Sequence, residues 1–151
     1  MGDSERSTGD DPALAESEAI RIAWSSVSVH SGVHGEVVHT VTEGDTATAM
    51  HSGDVAVLGT PRIVSLCEEA SIDALAGLLT DKQTSVGNRI EIAHLAPVAI
   101  GSTVRATAIL DRAEGRRLIF SVAVNDACGL VAVGKITRIV VERDHFVAKA
   151  R

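Results

Sequence analysis

A chain of 151 residues with 45% apolar content has the material for one domain with a proper core. Ala, Val, Ile and Leu supply nearly all of that apolar share; the aromatics are Trp24, Phe120 and Phe146, and tyrosine is absent. This composition speaks against modules that stack bases or sugars on aromatic rings. The net charge of −6 divides as −4 over residues 1–35, −6 over 36–100 and +4 over 101–151, so nucleic acid is not an expected partner.

Cys67 and Cys128 have no CxxC or Cys/His spacing, and two thiols are too few for a disulfide scaffold. They read as buried thiols of a reducing compartment. The start, "MGDSERSTGDDPALAESEA", is acidic and has no signal-peptide core. No run approaches the roughly 18 apolar residues of a membrane span, so no membrane partner is expected, and the expected location is the cytoplasm.

Taken in chain order, residues 1–11 are polar and predict disorder. "DPALAESEAIRIAWSSV" predicts a short helix with Asp11 as N-cap and Pro12 in the first turn. Residues 1–34 are thus read as an N-terminal extension, and 35–151 as the domain proper. From Gly35 the pattern alternates through Val37, His39 and Val41. It predicts a strand, a turn at "EGD" and a second short extended piece. "HSGDVAVLG" reads as a loop. "TPRIVSLCEEA" then starts a helix at Thr60, as N-cap, with Pro61 following, and the pattern runs to about Leu79. Strands are predicted at Ser85–Ala93, Ser102–Arg112, Arg117–Asn125 and Leu130–Glu142. Short turns join the last three, which favours an antiparallel meander. One long helix on a curled antiparallel sheet is an α+β arrangement, the hotdog architecture.

Glu68 and Glu69 interrupt the apolar helix and point about 100° apart. Counting from Pro61, Val64, Glu68, Ile72 and Leu75 share one face, beside Ile63, Cys67, Ala70, Ala74 and Leu78. Arg62, Ser65, Glu69 and Asp73 lie opposite. Glu69 is therefore a solvated residue and Glu68 the anomaly. A carboxylate on a core-facing edge is either an acid–base group, or it sits at the margin and reaches solvent or an arginine. Thr60, two turns earlier at the helix start, is either a plain cap or a hydroxyl beside N–H groups that attract a carbonyl oxygen. His94 shares a strand face with Ile90 and Ile92 before a Pro-containing turn, and is either a satisfied core residue or a proton-transfer group. Metal-ligand spacing, a GxSxG elbow, a Walker loop and GxGxxG are all absent, so neither a metal nor a cofactor is expected.

The segments "LGTPRIVSLCEEA", "TSVGNRIEIAHLAP" and "AEGRRLIFSVAVND" resemble the fluoroacetyl-CoA thioesterase-like branch of the hotdog thioesterases over roughly Gly35 to Lys149. The resemblance implies a homodimer with two sheets joined edge to edge and active sites at the interface. It places the family's catalytic threonine, glutamate and histidine on Thr60, Glu68 and His94. Gly87 matches a position near the substrate carbonyl, and Arg138 a family arginine. The implied reaction is hydrolysis of an acyl-CoA or acyl-carrier thioester. Arg105, Arg116, Arg117 and Arg138 are candidates for CoA phosphates. "TATAMHSGDVAVLGT" departs from the fluoroacetyl-specific pattern, being shorter and without the phenylalanines of its lid. A hotdog hydratase or dehydratase, and a non-catalytic acyl-ligand binding protein, are the rival readings.

Overall fold

The structure, a computed structural model, describes residues 31–151. The helix expected over residues 11–27 lies outside the described residues. The elements run β1 (His34–Thr40), a 3-10 turn (Glu43–Asp45), α1 (Thr60–Ala74), β2 (Gln83–His94), β3 (Thr103–Glu114), β4 (Arg117–Asp126), β5 (Gly129–Glu142) and α2 (Arg143–Ala148). The five strands form one antiparallel sheet in the order β1-β3-β4-β5-β2. The last three strands are the expected meander, and β2 stands at the edge.

Alternation places Val104, Ala106, Ala108 and Leu110 of β3 beside Leu118, Phe120, Val122 and Val124 of β4 on one buried face. Against that face α1 lays Ile63, Leu66, Cys67, Ala70, Ser71 and Ala74, spaced at three and one as a helix stripe requires. Burying each Leu- or Ile-sized side chain contributes roughly 1.5–3 kcal/mol. The helix crosses β1 at Gly35, where an added Cβ would stand 2.2 Å from the Ala70 carbonyl oxygen and 2.3 Å from the Ala74 nitrogen.

Three local expectations are corrected. The helix stops at Ala74, not near Leu79; Leu75 caps it, and Gly77 at φ +75° belongs to the turns that follow. The second extended piece after "EGD" is a series of turns, with an isolated bridge from Thr46 to Leu58. There the Thr46 hydroxyl donates to the Glu43 carbonyl (2.8 Å) and accepts from the Ala49 N–H (3.1 Å). Such local bonds compete with a ladder. Finally, the line of Val64, Glu68 and Ile72 borders the buried stripe; Leu66 and Ser71 lie within it, and Ile72 is 51% exposed. The sheet covers one side of α1, and this line faces the side next to the free edge of β2.

The loop ahead of α1 is tied down by Asp45, whose residue is 8% exposed. Oδ2 accepts from the Thr42 N–H (2.7 Å), the Thr42 hydroxyl (2.9 Å) and Nε2 of His39 (2.7 Å). Oδ1 accepts from Nε of Arg62 (3.1 Å). Burial pushes this carboxyl up, but the bonds from the Thr42 backbone, His39 and the Thr42 hydroxyl, with the charge of His39, outweigh it and bring the pKa down to about 2.

Two outcomes are expected. Gly35→Ala forces Cβ into the helix backbone and lowers the urea midpoint, with a stability loss of about 1–3 kcal/mol and an unchanged m-value. Because the folded pKa of Asp45 lies below its unfolded value, its contribution is present above about pH 4 and is lost as pH falls towards 2. The urea-stability gap between wild type and Asp45→Asn therefore narrows over that window; a gap independent of pH would contradict this.

Candidate active site

Thr60 is the first residue of α1 and Gly59 its cap, without a side-chain capping bond. This corrects the expectation of Thr60 as N-cap and leaves its hydroxyl free for another partner. That partner is Nδ1 of His94, 2.8 Å away. Nε2 of the same ring lies 3.0 Å from the Ala96 carbonyl oxygen. A carbonyl can only accept, so Nε2 carries the proton and, in the neutral ring, Nδ1 accepts from the Thr60 hydroxyl. The ring is thereby fixed in one tautomer with its basic nitrogen on the threonine oxygen. A cavity of about 210 Å³, lined by Val57, His94, Leu95, Ala96 and Pro97, opens against the ring.

Glu68 belongs to a second group. Its Oε2 accepts from Nη1 of Arg138 at 3.0 Å. Arg138 is 4% exposed, and its other donors are engaged: Nε to the Ser85 hydroxyl and Nη2 to the Ser85 carbonyl, each at 2.9 Å. Burial lowers the pKa of Arg138, and the charge and hydrogen bond of Glu68 raise it again. Gly87 pairs with Arg138 across the strands. A Cβ at Gly87 would stand 2.6 Å from Oε2 of Glu68, so the missing side chain is what lets the carboxylate lie against β2. The Glu68 side chain keeps 31% exposure. Glu69, by contrast, points to the polar face and pairs with Arg62 at 3.1 Å, as its position in the helix count requires.

The five candidates thus fall into two groups, Thr60 with His94 and Glu68 with Arg138 and Gly87. No hydrogen bond links the groups among the described residues. Two turns of α1 separate them, about 12 Å of helix rise. A bulge in β2 sets which of its residues face the helix. The register with β5 slips between Gly87 and Arg89, leaving Asn88 unpaired. Before it Ser85 and Gly87 stand opposite Val140 and Arg138; after it Ile90, Ile92 and His94 stand opposite Ile136, Gly134 and Ala132. Odd positions face α1 on one side of the bulge and even positions on the other. Sequence reasoning did not find Ser85, which looks like any strand serine, nor Asp45, which reads as a turn residue. Of the four arginines considered for phosphates, Arg138 is enclosed, and Arg105 pairs with Glu36 on neighbouring strands.

A five-stranded antiparallel sheet on one main helix is the arrangement of the hotdog-fold thioesterases, and the chain is a thioester hydrolase of that class. The sequence profile of the family described as fluoroacetyl-CoA-specific thioesterase matches residues 41–144, and the chain belongs to that family. A fluoroacetyl-CoA thioesterase of Streptantibioticus cattleyicolor is 36% identical over 95 residues, 63% of this chain and 68% of that protein. A mutant of the fluoroacetyl-CoA-specific thioesterase, crystallised with fluoroacetate and CoA, superposes with a TM-score of 0.74 at 27% identity, covering 78% of this chain and 99% of that one. A hot-dog-like protein from Thermanaerovibrio acidaminovorans gives 0.72 at 29% identity, over 79% and 88% of the two chains.

Cys67 sits next to Glu68 inside the helix stripe. Burial, and then the negative charge of Glu68, push its thiol up to about 12. Cys128 is exposed in the β4–β5 turn; its position corrects the expectation that both thiols are buried. Thiolate is the reactive form. Titration of native protein with a disulfide reagent at about pH 8 is therefore expected to release one equivalent quickly, and the second on unfolding. Two fast equivalents would contradict the enclosure of Cys67.

Proposed function

We propose that the protein hydrolyses short acyl-CoA thioesters, at a site that Glu68 of one chain forms with Thr60 and His94 of a second copy. The observation that carries this reading is the Glu68 carboxylate. The enclosed Arg138 guanidinium donates to it and aims it, and the missing side chain at Gly87 lets it lie against β2. An ionised carboxylate can attack a thioester carbonyl or draw a proton from water. A reacting carbonyl must lie within about 3 Å of its nucleophile and its acid–base partner, and two turns of helix keep His94 out of that range within one chain.

The free edge of β2 supplies the missing half. This edge strand of 12 residues is exposed from Gly87 to Glu91 and carries the half-exposed Ile90, a template for pairing with another strand. Antiparallel pairing with its own copy about a two-fold axis near Ile90, with Asn88 passed over at the bulge, sets Gly87 opposite the partner's Ile92 on the α1 face, and so Glu68 near the partner's His94.

In the proposed reaction the thioester carbonyl lies against Gly87, where a backbone N–H receives the developing oxyanion. Either Glu68 takes a proton from a water that adds to the carbonyl carbon, and the bond to sulfur then breaks, or Glu68 itself adds to that carbon and expels the thiolate, and water hydrolyses the resulting anhydride. Nδ1 of His94 takes up a proton released from the water and passes it to the thiolate. The products are a carboxylic acid and a free thiol. Thr60 holds the imidazole and the entering oxygen. CoA as the carrier is supported by the relative crystallised with it. Short acyl groups are supported by the relatives named for fluoroacetyl-CoA. The loop over residues 46–59 contains no aromatic residue, so selectivity for the fluoroacetyl group, the substrate named for the relatives, is not proposed.

The test is thiol release from a panel of short, branched and aromatic acyl-CoAs together with fluoroacetyl-CoA. Short acyl-CoAs are expected to turn over. Glu68→Gln is expected to lose roughly a hundredfold or more in kcat, and Glu69→Gln less than about twofold. Absence of release from the whole panel, or loss in Glu69→Gln alone, would contradict the reading.

A further inference from the structure

We propose that Asp45 is a positioning residue for the Thr60–His94 pair, gripping the start of α1 on both sides of Thr60. This inference rests on the reading of that pair as part of a thioester-hydrolysing site. The Asp45 carbonyl accepts from the N–H of Gly59, the residue before Thr60, at 2.8 Å. Its carboxylate accepts from Nε of Arg62, two residues after Thr60. Backbone and side chain of one residue therefore bracket the threonine.

The grip is anchored on both of its own sides. His39 of β1 and Thr42 of the turn hold Oδ2. Arg62 is steadied by donating also to the Ser65 hydroxyl (2.7 Å) and to Glu69 (3.1 Å). With no side-chain cap on α1, these contacts, rather than a capping hydroxyl, fix where the helix begins.

The same turn reaches the histidine. Thr46, next to Asp45, bridges Leu58, and the Ala47 N–H donates to the Val57 carbonyl at 2.9 Å. Leu58 in turn donates to the Val98 carbonyl at 2.9 Å, and Val57 bridges Ala99. The segment from Ala96 to Ala99 begins two residues after His94, and its Ala96 carbonyl fixes the imidazole tautomer. One run of contacts thus joins Asp45 to both members of the pair. Displacement of a reacting group by about 1 Å can cost roughly a hundredfold in rate, so a charge at this distance from the chemistry is felt in kcat.

The experiment uses the full chain and compares wild type, Asp45→Asn, Arg62→Met and the double variant, with Thr60→Val as reference. Three quantities are read: thermal unfolding, kcat and KM on an acyl-CoA that wild type cleaves, and the ¹⁵N resonance of His94 Nδ1. Asp45→Asn is expected to unfold cooperatively and to keep KM within about twofold, while kcat falls roughly tenfold or more. Its His94 resonance is expected to move towards that of Thr60→Val. Arg62→Met is expected to show part of the same change, and the double variant to be no worse than Asp45→Asn, because both act through one link. A folded Asp45→Asn with wild-type kcat and an unmoved His94 resonance overturns the proposal. Should Asp45→Asn fail to fold, the same two readings on Arg62→Met decide it. Should wild type cleave no thioester, the reading of function fails by itself. The His94 resonance needs no substrate, so it still decides the role of Asp45.

Discussion

A guanidinium enclosed between strands and a helix cannot shed its proton, and leaving it unpaired would cost several kcal/mol. Arg138 is in that position, and the surrounding backbone leaves little choice about how it is satisfied. Ser85 takes two of its donor nitrogens with a hydroxyl and a carbonyl; the third points along the helix face to Glu68. The carboxylate is consequently aimed and pressed against a strand position where a side chain would collide with it. Its charge reaches further, helping to keep the neighbouring Cys67 thiol protonated. An acidic residue that would be a packing defect on an ordinary amphipathic helix is here held by an enclosed arginine.

The sheet has to present two different sets of side chains to that helix, and an uninterrupted strand cannot do so. Gly87 and His94 are an odd number of positions apart, so perfect alternation would put them on opposite faces. The extra residue at Asn88 reverses the alternation half-way along β2. One end of the strand then serves the Glu68–Arg138 pair and the other the Thr60–His94 pair. This division keeps the two groups apart along one helix, each internally bonded, and under the proposed function they are the halves that the exposed edge of the same strand would bring together.

Much of this was legible in the residues themselves. The strand periodicity from Gly35 and through the last three strands, and the proline-marked start of α1, led directly to the observed order of elements. Glu69 fell on the polar face by counting alone. The count was less good for Glu68, because the position of the apolar stripe depends on which side the sheet covers; Leu66 and Ser71 belong inside it and Ile72 does not. Thr60 looked like a cap since most threonines before a proline-led helix are caps, and its hydroxyl was claimed by a residue 34 positions away. The bulge, the Ser85 bonds and the grip of Asp45 are all contacts between distant segments, and no local pattern announces them. The family resemblance picked out Thr60, Glu68 and His94 together, without indicating that they divide into two groups along one helix.

Subunit complementation tests the composite site most directly. Glu68→Gln and His94→Ala proteins are each prepared, mixed in equal amounts, allowed to exchange subunits and assayed for thiol release. If Glu68 works with the partner's His94, each hybrid dimer regains one intact site, and the mixture recovers about a quarter of the wild-type rate. If the site lies within one chain, every site keeps a defect. A mixture no faster than the average of its two parents, with exchange verified, would contradict the account.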